Sequence, residues 1–283
     1  MISGMMGNLA VGDEYPVRLV GIVNLSTASF YKNSISNMEN LEINIRKMIE
    51  EGADCIDIGA QSTRPVQIYG GEGRVDEVTE RDMIKKALII VKDMLEQYPN
   101  VEFSIDTVRS SVAEEGLKIG VRIINDISGF KKDEKMAKTI SDFDASAVVM
   151  AAHKEPGDVY KIPDIINELK RSIEIGIENN ISPEKIIIDP GVGSWEARPY
   201  HYDFGIIKRL QEFRVLSKPI YVGISRKTSI GKVLNNAPPE DRLFGSIGAT
   251  VVAVMNGAHV VRTHDVKPTL DAIRVSETII RYQ

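Results

Sequence analysis

Eight short runs rich in β-branched residues recur along the chain, each separated from the next by a longer segment. They are RLVGIVNLS (18–26), CIDIGA (55–60), VEFSIDT (101–107), RIINDIS (122–128), ASAVVMA (145–151), KIIIDPG (185–191), PIYVGIS (219–225) and HVVRTHD (259–265). Near-continuous apolar strands are buried on both faces, as in a parallel sheet covered by helices. Several of the intervening segments have apolar spacing of three and four: NLEINIRKMIEEG at 40–52, RDMIKKALIIVKDMLEQY at 81–98, DIINELKRSIEIGIENN at 164–180 and RLFGSIGATVVAVMNG at 242–257. Gly52 reads as the stop of the first of these. Right-handed β-α-β crossovers need a dozen or more residues, which these spacings supply. The pattern predicts an α/β fold, a single (β/α)8 TIM barrel with its active site at the C-terminal ends of the strands. A doubly wound sheet is disfavoured, because no GxGxxG follows the first run.

No low-complexity linker or charge block divides the chain. Residues 1–283 therefore read as one barrel domain with a short N-terminal extension over about 1–16. A net charge of −5 excludes a general binder of nucleic acid or anionic membrane, though it leaves room for a local basic pocket. The single cysteine, Cys55, excludes an internal disulfide and a cysteine-rich zinc site, and its apolar setting reads as an inert buried thiol. No apolar run reaches 18 residues, and the N-terminus lacks a basic segment followed by an apolar one. A soluble, cytoplasmic protein is the expectation.

In such barrels the βα loops all open on one face, so the residue ending each strand is informative. Here the ends carry Asn24, Asp106-Thr107, Asn125-Asp126, Asp189, Ser225-Arg226-Lys227 and Arg262 with His264 and Asp265, while the second run leads into QSTRP. Each has a plain alternative. Asp106 and Asp126 could cap helices, Asn24 could hold a turn, Lys227 could be a solvated cation, and His264 could be structural. Capping needs alone do not explain all of them on one rim.

Asn24, Arg262 and His264 supply neutral and cationic donors where the first and last strands adjoin, which suits a phosphate or diphosphate. Asp106, Asn125 and Asp189 suit a flat heterocycle with an amino-imino edge, since a carboxylate accepts two N–H bonds in one plane. Ser225-Arg226-Lys227 precedes a helix start, TSIGKV, whose N–H groups could hold a further anion. No residues have the spacing of a protein-bound zinc site, so a metal here would be Mg2+ carried on phosphate oxygens.

The segments GADCIDIGAQSTRP, SIDT, INDIS, IIDPGVG, GISRKTSIG and VRTHDV, in this order over roughly residues 18–268, resemble the pterin-binding barrel family and within it the dihydropteroate synthases. The resemblance implies condensation of 6-hydroxymethyl-7,8-dihydropterin diphosphate with the arylamine p-aminobenzoate, releasing diphosphate. It implies that Asp106, Asn125, Asp189 and Lys227 hold the pterin, with Asp106, Asp189 and Lys227 the catalytic set. Asn24, Arg262 and His264 would bind the diphosphate, with Mg2+ bridging Asn24 and phosphate oxygens. Thr63 and Arg64 would lie on a mobile loop over the diphosphate, Pro65 and Phe30 near the arylamine, and Ser225 with the adjoining helix start at the acceptor's anionic end, with Arg226 also a substrate-binding residue.

The chain also departs from the family. Its first loop reads NLSTASFYKN, with Thr27 and Ala28 where the synthases usually carry proline and aspartate. Ser194-Trp195-Glu196 replaces the usual Phe-Gly-Lys after DPGVG, and Trp195 could be an aromatic wall or a core residue. Gly70, Gly71 and Gly73 make no P-loop, since no GK[ST] follows. These changes touch the acceptor side, so a p-aminobenzoate derivative with a ribosyl phosphate, as in methanopterin biosynthesis by an archaeal-type variant, stands beside p-aminobenzoate as an expected acceptor. Two other readings stay open: a methyl-pterin:corrinoid-protein methyltransferase, and a catalytically silent pterin-binding paralogue. By analogy with the family, RLFGSIGATVVAVMNG could face a second subunit in a homodimer. It could equally pack on its own barrel.

Overall fold

The computed structural model describes residues 1–25, 38–60, 75–193 and 198–282. Its centre is an eight-stranded parallel sheet. The strands are β3 (Arg18–Asn24), β4 (Cys55–Gly59), β5 (Glu102–Asp106), β6 (Ile123–Asp126), β7 (Ser146–Met150), β8 (Ile186–Asp189), β9 (Tyr221–Gly223) and β10 (Val260–Thr263). Each pairs with its sequence neighbour from β3 to β8, and β10 pairs with both β9 and β3. A single parallel bridge, Ile188 to Ile220, joins β8 to the β9 side, where the Ile188 N–H donates to the Pro219 carbonyl at 3.0 Å. The sheet therefore closes into the expected α/β barrel.

All eight runs form strands, each shorter than its apolar run. The ninth position of the first run lies beyond the described residues. After β9 the chain turns at Arg226, whose φ is +55°, so Ser225 stands on the loop rather than on the strand.

Outside the barrel run α1 (Met38–Glu50), α2 (Glu77–Gln97), α3 (Ser110–Lys118), α4 (Met136–Asp142), α5 (Ile162–Glu178), α6 (His201–Lys208), α7 (Thr228–Val233), α8 (Leu243–Met255) and α9 (Val266–Arg281). The α2 helix starts four residues ahead of its apolar pattern because Asp76 caps it, accepting from the Thr79 N–H at 2.9 Å. The α1 helix ends as expected near Gly52, which takes a φ of +100°.

Strand side chains alternate between the helix shell and the barrel interior. Leu19, Ile56, Phe103, Ile105, Ile124, Val149 and Ile188 join the helices' Leu41, Ile45, Ile84 and Val91 in the outer core. Val20, Cys55, Ile123, Val148, Ile187, Tyr221 and Val260 form a second, inner cluster. Two positions further along the same strands, at the same inward phase, come Ile22, Asp57, Asn125, Met150, Asp189, Gly223 and Arg262. An apolar layer thus supports one that carries the polar groups Asp57, Asn125, Asp189 and Arg262, all at the phase set by the period-two geometry of the strands.

The expected N-terminal extension is an antiparallel hairpin, β1 (Ser3–Met6) and β2 (Leu9–Gly12), with Gly7 at φ +62° in its two-residue turn. Its Met6 and Val11 complete the inner cluster. Gly7 N–H donates to Ser146 Oγ at 3.0 Å, and Asn8 N–H to Glu102 Oε1 at 2.9 Å, both at strand starts. The hairpin therefore covers the end of the barrel opposite the polar layer. Sequence reading missed it because its two strands are only four residues each.

Candidate active site

The polar layer is tied together by Arg262 on β10. Its Nε donates to Asp57 Oδ2 at 2.6 Å and its Nη2 to Asp106 Oδ2 at 2.8 Å. Asp57 is wholly buried on β4 and also accepts from Asn125 Nδ2 at 3.1 Å and from the Ser104 hydroxyl. Burial works against the Arg262 cation, but Asp57 and Asp106 outweigh it and hold the guanidinium above its ordinary pKa. Removing both carboxylates from water is costly, so the shared cation is what makes the pair tolerable.

Asp106 ends β5 beside Gly59 of β4, where an added Cβ would approach the Asp106 Cβ to 3.2 Å. Burial pushes its carboxyl up to about 7. Asp57 and Glu80 add to the rise, while Arg262 and Lys227 oppose it. Asp189 ends β8 and accepts from the Gly191 N–H at 2.7 Å. Burial raises it to about 6 against the pull of that N–H and of Lys227 and Arg262. Burial, then the nearby Arg262, lowers the Lys227 ammonium below its ordinary value. Gly193, at φ +62°, lies where a Cβ would come within 2.8 Å of Lys227 Cγ, so the glycine makes room for the lysine stem.

His264 Nδ1 and its backbone N–H both reach Ser225 Oγ, at 3.0 and 3.2 Å. Burial, with Arg262, Lys227 and Arg226 close by, drops its imidazole well below the ordinary value. It is a neutral group near pH 7. Asn24, at the end of β3, is half-buried beside Gly59.

Arg226 points into the protein. Its Nε and Nη2 form a forked pair with Asp265 at 2.8 and 2.7 Å, and Nη1 donates to the carbonyls of Pro239 and Glu240. Arg242 Nη1 in turn donates to the Arg226 carbonyl at 3.0 Å. These bonds brace the loop carrying Ser225 and Lys227. Nothing in the SRK sequence distinguished this arginine from a substrate ligand. Asp126 is likewise a loop clamp, accepting from Ser128 and Phe130 N–H groups at 2.8 and 2.9 Å.

The structure thus brings Asp106, Asn125, Asp189, Lys227, Ser225, Arg262 and His264 to one mouth. Thr63, Arg64, Pro65, Phe30, Thr27, Ala28 and Trp195 lie outside the described residues. Asp57 and Ser104 were not singled out from sequence, although their spacing of two from Cys55 and Asp106 places them at the inward phase. Glu80 was also missed. This wholly buried residue of α2 accepts from Thr107 Oγ1 at 2.6 Å and pairs with Arg109 behind Asp106. Only tertiary structure reveals it. A cavity of about 550 Å³ opens beside Asp106, lined by Thr107, Arg109, Ser128 and Lys132 among others. Among the described residues no group of three or more His, Cys, Asp or Glu could hold a metal ion.

The chain is thus a closed parallel barrel whose mouth gathers buried carboxylates, an amide and cations around Arg262. Residues 20–264 match the family model for pterin-binding enzymes. The chain is 34% identical over 267 residues to the dihydropteroate synthase of Clostridium beijerinckii, covering 93% of this chain and 94% of the relative. It is 35% identical over 253 residues to that of Bacillus subtilis, covering 88% and 84%. A solved dihydropteroate synthase from Coxiella burnetii, in complex with pteroic acid, superposes with a TM-score of 0.85 at 31% identity and covers 99% of both chains. The chain belongs to the pterin-binding enzymes, and within them to the dihydropteroate synthase family.

Proposed function

We propose that this chain transfers the pterin-methyl group of 6-hydroxymethyl-7,8-dihydropterin diphosphate to the amine of p-aminobenzoate, releasing diphosphate, as a step of folate biosynthesis. The observation that carries the reading is the polar layer itself, where Asp106, Asn125 and Asp189 face one interior with Arg262 and Lys227. Carboxylates and an amide oxygen suit the N–H edge of a pterin. Arg262, neutral His264 and Asn24 suit the departing diphosphate, whose growing charge is met by groups already in place. An arylamine is neutral near pH 7, so the acceptor needs no strong base to make it nucleophilic.

The relatives support p-aminobenzoate as acceptor, since pteroic acid, found in the Coxiella structure, is a pterin joined to it. The ribosyl-phosphate acceptor and an archaeal-type variant find no support among them, and no observation favours the methyltransferase or the silent paralogue. Thr63, Arg64 and Ser225 belong to this reading as substrate-binding residues by resemblance. For Arg226 the role is through the loop it braces.

Mg2+ would be held by the Asn24 carboxamide oxygen together with phosphate oxygens and water. A hard cation takes oxygen ligands and keeps several waters, so one protein ligand and a diphosphate fit it, whereas an all-protein cage is not needed. When bound it would neutralise charge on the leaving group.

Membership of the dihydropteroate synthase family supports a cytoplasmic setting; among the described residues no helix is long and apolar enough to cross a membrane. Phe244, Val252 and Met255 of α8 and Val275, Ile279 and Ile280 of α9 are exposed on two adjacent helices, which supports a homodimer through that face.

The test is diphosphate release from the pterin diphosphate with Mg2+, in the presence of p-aminobenzoate, its ribosyl-phosphate derivative, or neither. Release that depends on p-aminobenzoate is expected. Release with the ribosyl-phosphate compound alone, or none with any arylamine, would overturn the proposal.

A further inference from the structure

Several residues of the polar layer hang on one carboxylate. Asp57 Oδ2 accepts from Arg262 Nε and Asn125 Nδ2, and Oδ1 accepts from Ser104, whose oxygen lies 3.9 Å from the Cys55 thiol. A carboxylate oxygen offers lone pairs and no proton, so it selects the nitrogen side of the Asn125 amide. The Asn125 oxygen must then turn the other way. There it is buried and has no hydrogen-bond partner among the described residues. A buried acceptor left without a donor costs free energy in the empty protein, and a ligand N–H removes that cost.

We propose that Asp57 is a positioning residue that sets the donor–acceptor pattern of the pterin pocket, fixing the Asn125 amide with its oxygen free for the ligand while aiming Arg262 at Asp106. The inference rests on the pterin-transferring reading and deepens it. Asp57 itself need not touch the substrate. The ligand edge opposite Asn125 must donate an N–H, and a heterocycle presenting an acceptor there is rejected because two acceptors would face each other.

The experiment reverses the polarity of the pair and reads binding of 6-hydroxymethyl-7,8-dihydropterin by calorimetry. Asn125→Asp alone sets two carboxylates against each other and should weaken binding by about 100-fold. Asp57→Asn combined with Asn125→Asp lets the new amide donate to the new carboxylate, whose second oxygen still faces the ligand, although the same amide nitrogen then meets the Arg262 Nε–H, which sets the residual loss. The charge beside Arg262 is also kept. This double variant should bind within about tenfold of wild type. Asp57→Asn alone can still turn its oxygen to Arg262 and Asn125 and donate to Ser104, so a shift of only about threefold is expected.

A merely structural Asp57 would show no such rescue. Asn125→Asp binding as wild type, or a folded double variant no better than the single one, would overturn the proposal. If Asn125→Asp does not fold, the double variant decides, by binding within tenfold or failing to bind while folded. Wild-type protein that binds no pterin would instead sink the functional reading, and this inference with it.

Discussion

Arg262 Nη2 lies 2.8 Å from Asp106 Oδ2, so the cation proposed to meet a departing diphosphate is paired with the carboxylate proposed to face the pterin. One guanidinium therefore links the two halves of the substrate. Lysine cannot reproduce a fork that reaches Asp57 and Asp106 together. Arg262→Lys should lower kcat/KM by about 100-fold, in the range seen when a preplaced charge stabiliser is lost. Steady-state kinetics check this, and a loss under threefold would count against the assignment.

The carboxyls of Asp106 and Asp189, at about 7 and about 6, titrate within the working range. In the proposed function their ionised forms accept from pterin N–H groups, so pterin affinity should rise with pH from about 5 to 8. Stability of the ligand-free protein should move the other way. Between about pH 4 and 7 the native state holds more protons at Asp106 than the unfolded chain does, so stability is lost as pH rises through that window. Thermal melts of wild type and Asp106→Asn across this range give the contribution by difference. A difference that is flat or rises with pH would contradict the sign.

Gly193 combines a left-handed backbone with contact to Lys227. Gly193→Ala should strain the loop by about 1–3 kcal/mol and push the lysine stem aside. A fall of about tenfold in kcat/KM should accompany it, as expected from misplacing one site group by a fraction of an ångström. The alternative outcome, a lower melting temperature with unchanged kinetics, would mean that the lysine's position is not critical.

Arg226 and Asp265 form a buried forked pair. Asp265→Ala leaves a buried guanidinium with part of its partnership gone, which costs about 3–5 kcal/mol. A chain of this size loses about 2–4 °C per kcal/mol, so the melting temperature should fall by about 10 °C. Scanning calorimetry reads this directly. Little change would show the pair to be replaceable by water.

Val275 and Ile279, one turn apart on α9, are each more than half exposed. If they cover a second copy, Val275→Glu with Ile279→Glu should shift the protein from dimer to monomer in sedimentation velocity at micromolar concentration. A wild-type monomer would remove the homodimer proposal.

The barrel was legible because its signal is repeated in every unit. Eight apolar runs with helix-length separations admit few architectures, and an error at one run leaves the rest in place. The strand-end groups were legible for a related reason, since the fold puts all strand ends on one face. Asp57 was not, because an acid in CIDIG looks like a break in an apolar strand until the interior phase is known. Glu80 sits in the first turn of a helix where acids are common for dipole reasons, and only its burial against Thr107 and Arg109 separates it from an ordinary cap. Arg226 and Arg262 share a charge and fall near the end of an apolar run, yet one braces a loop and the other faces the barrel interior. That difference depends on Asp265, Pro239 and Glu240 arriving from elsewhere in the chain.

The hairpin under the barrel has a consequence for how the molecule assembles. Gly7 bonds a residue 139 positions downstream, and Asp13 bonds Arg214 and His259, 201 and 246 positions downstream. During synthesis the floor of the barrel is made before nearly all the walls it must touch, and it has to wait for them. Such distant closures are slow, so the hairpin's docking should serve as a late timestamp on folding, set only once the last strand is in place.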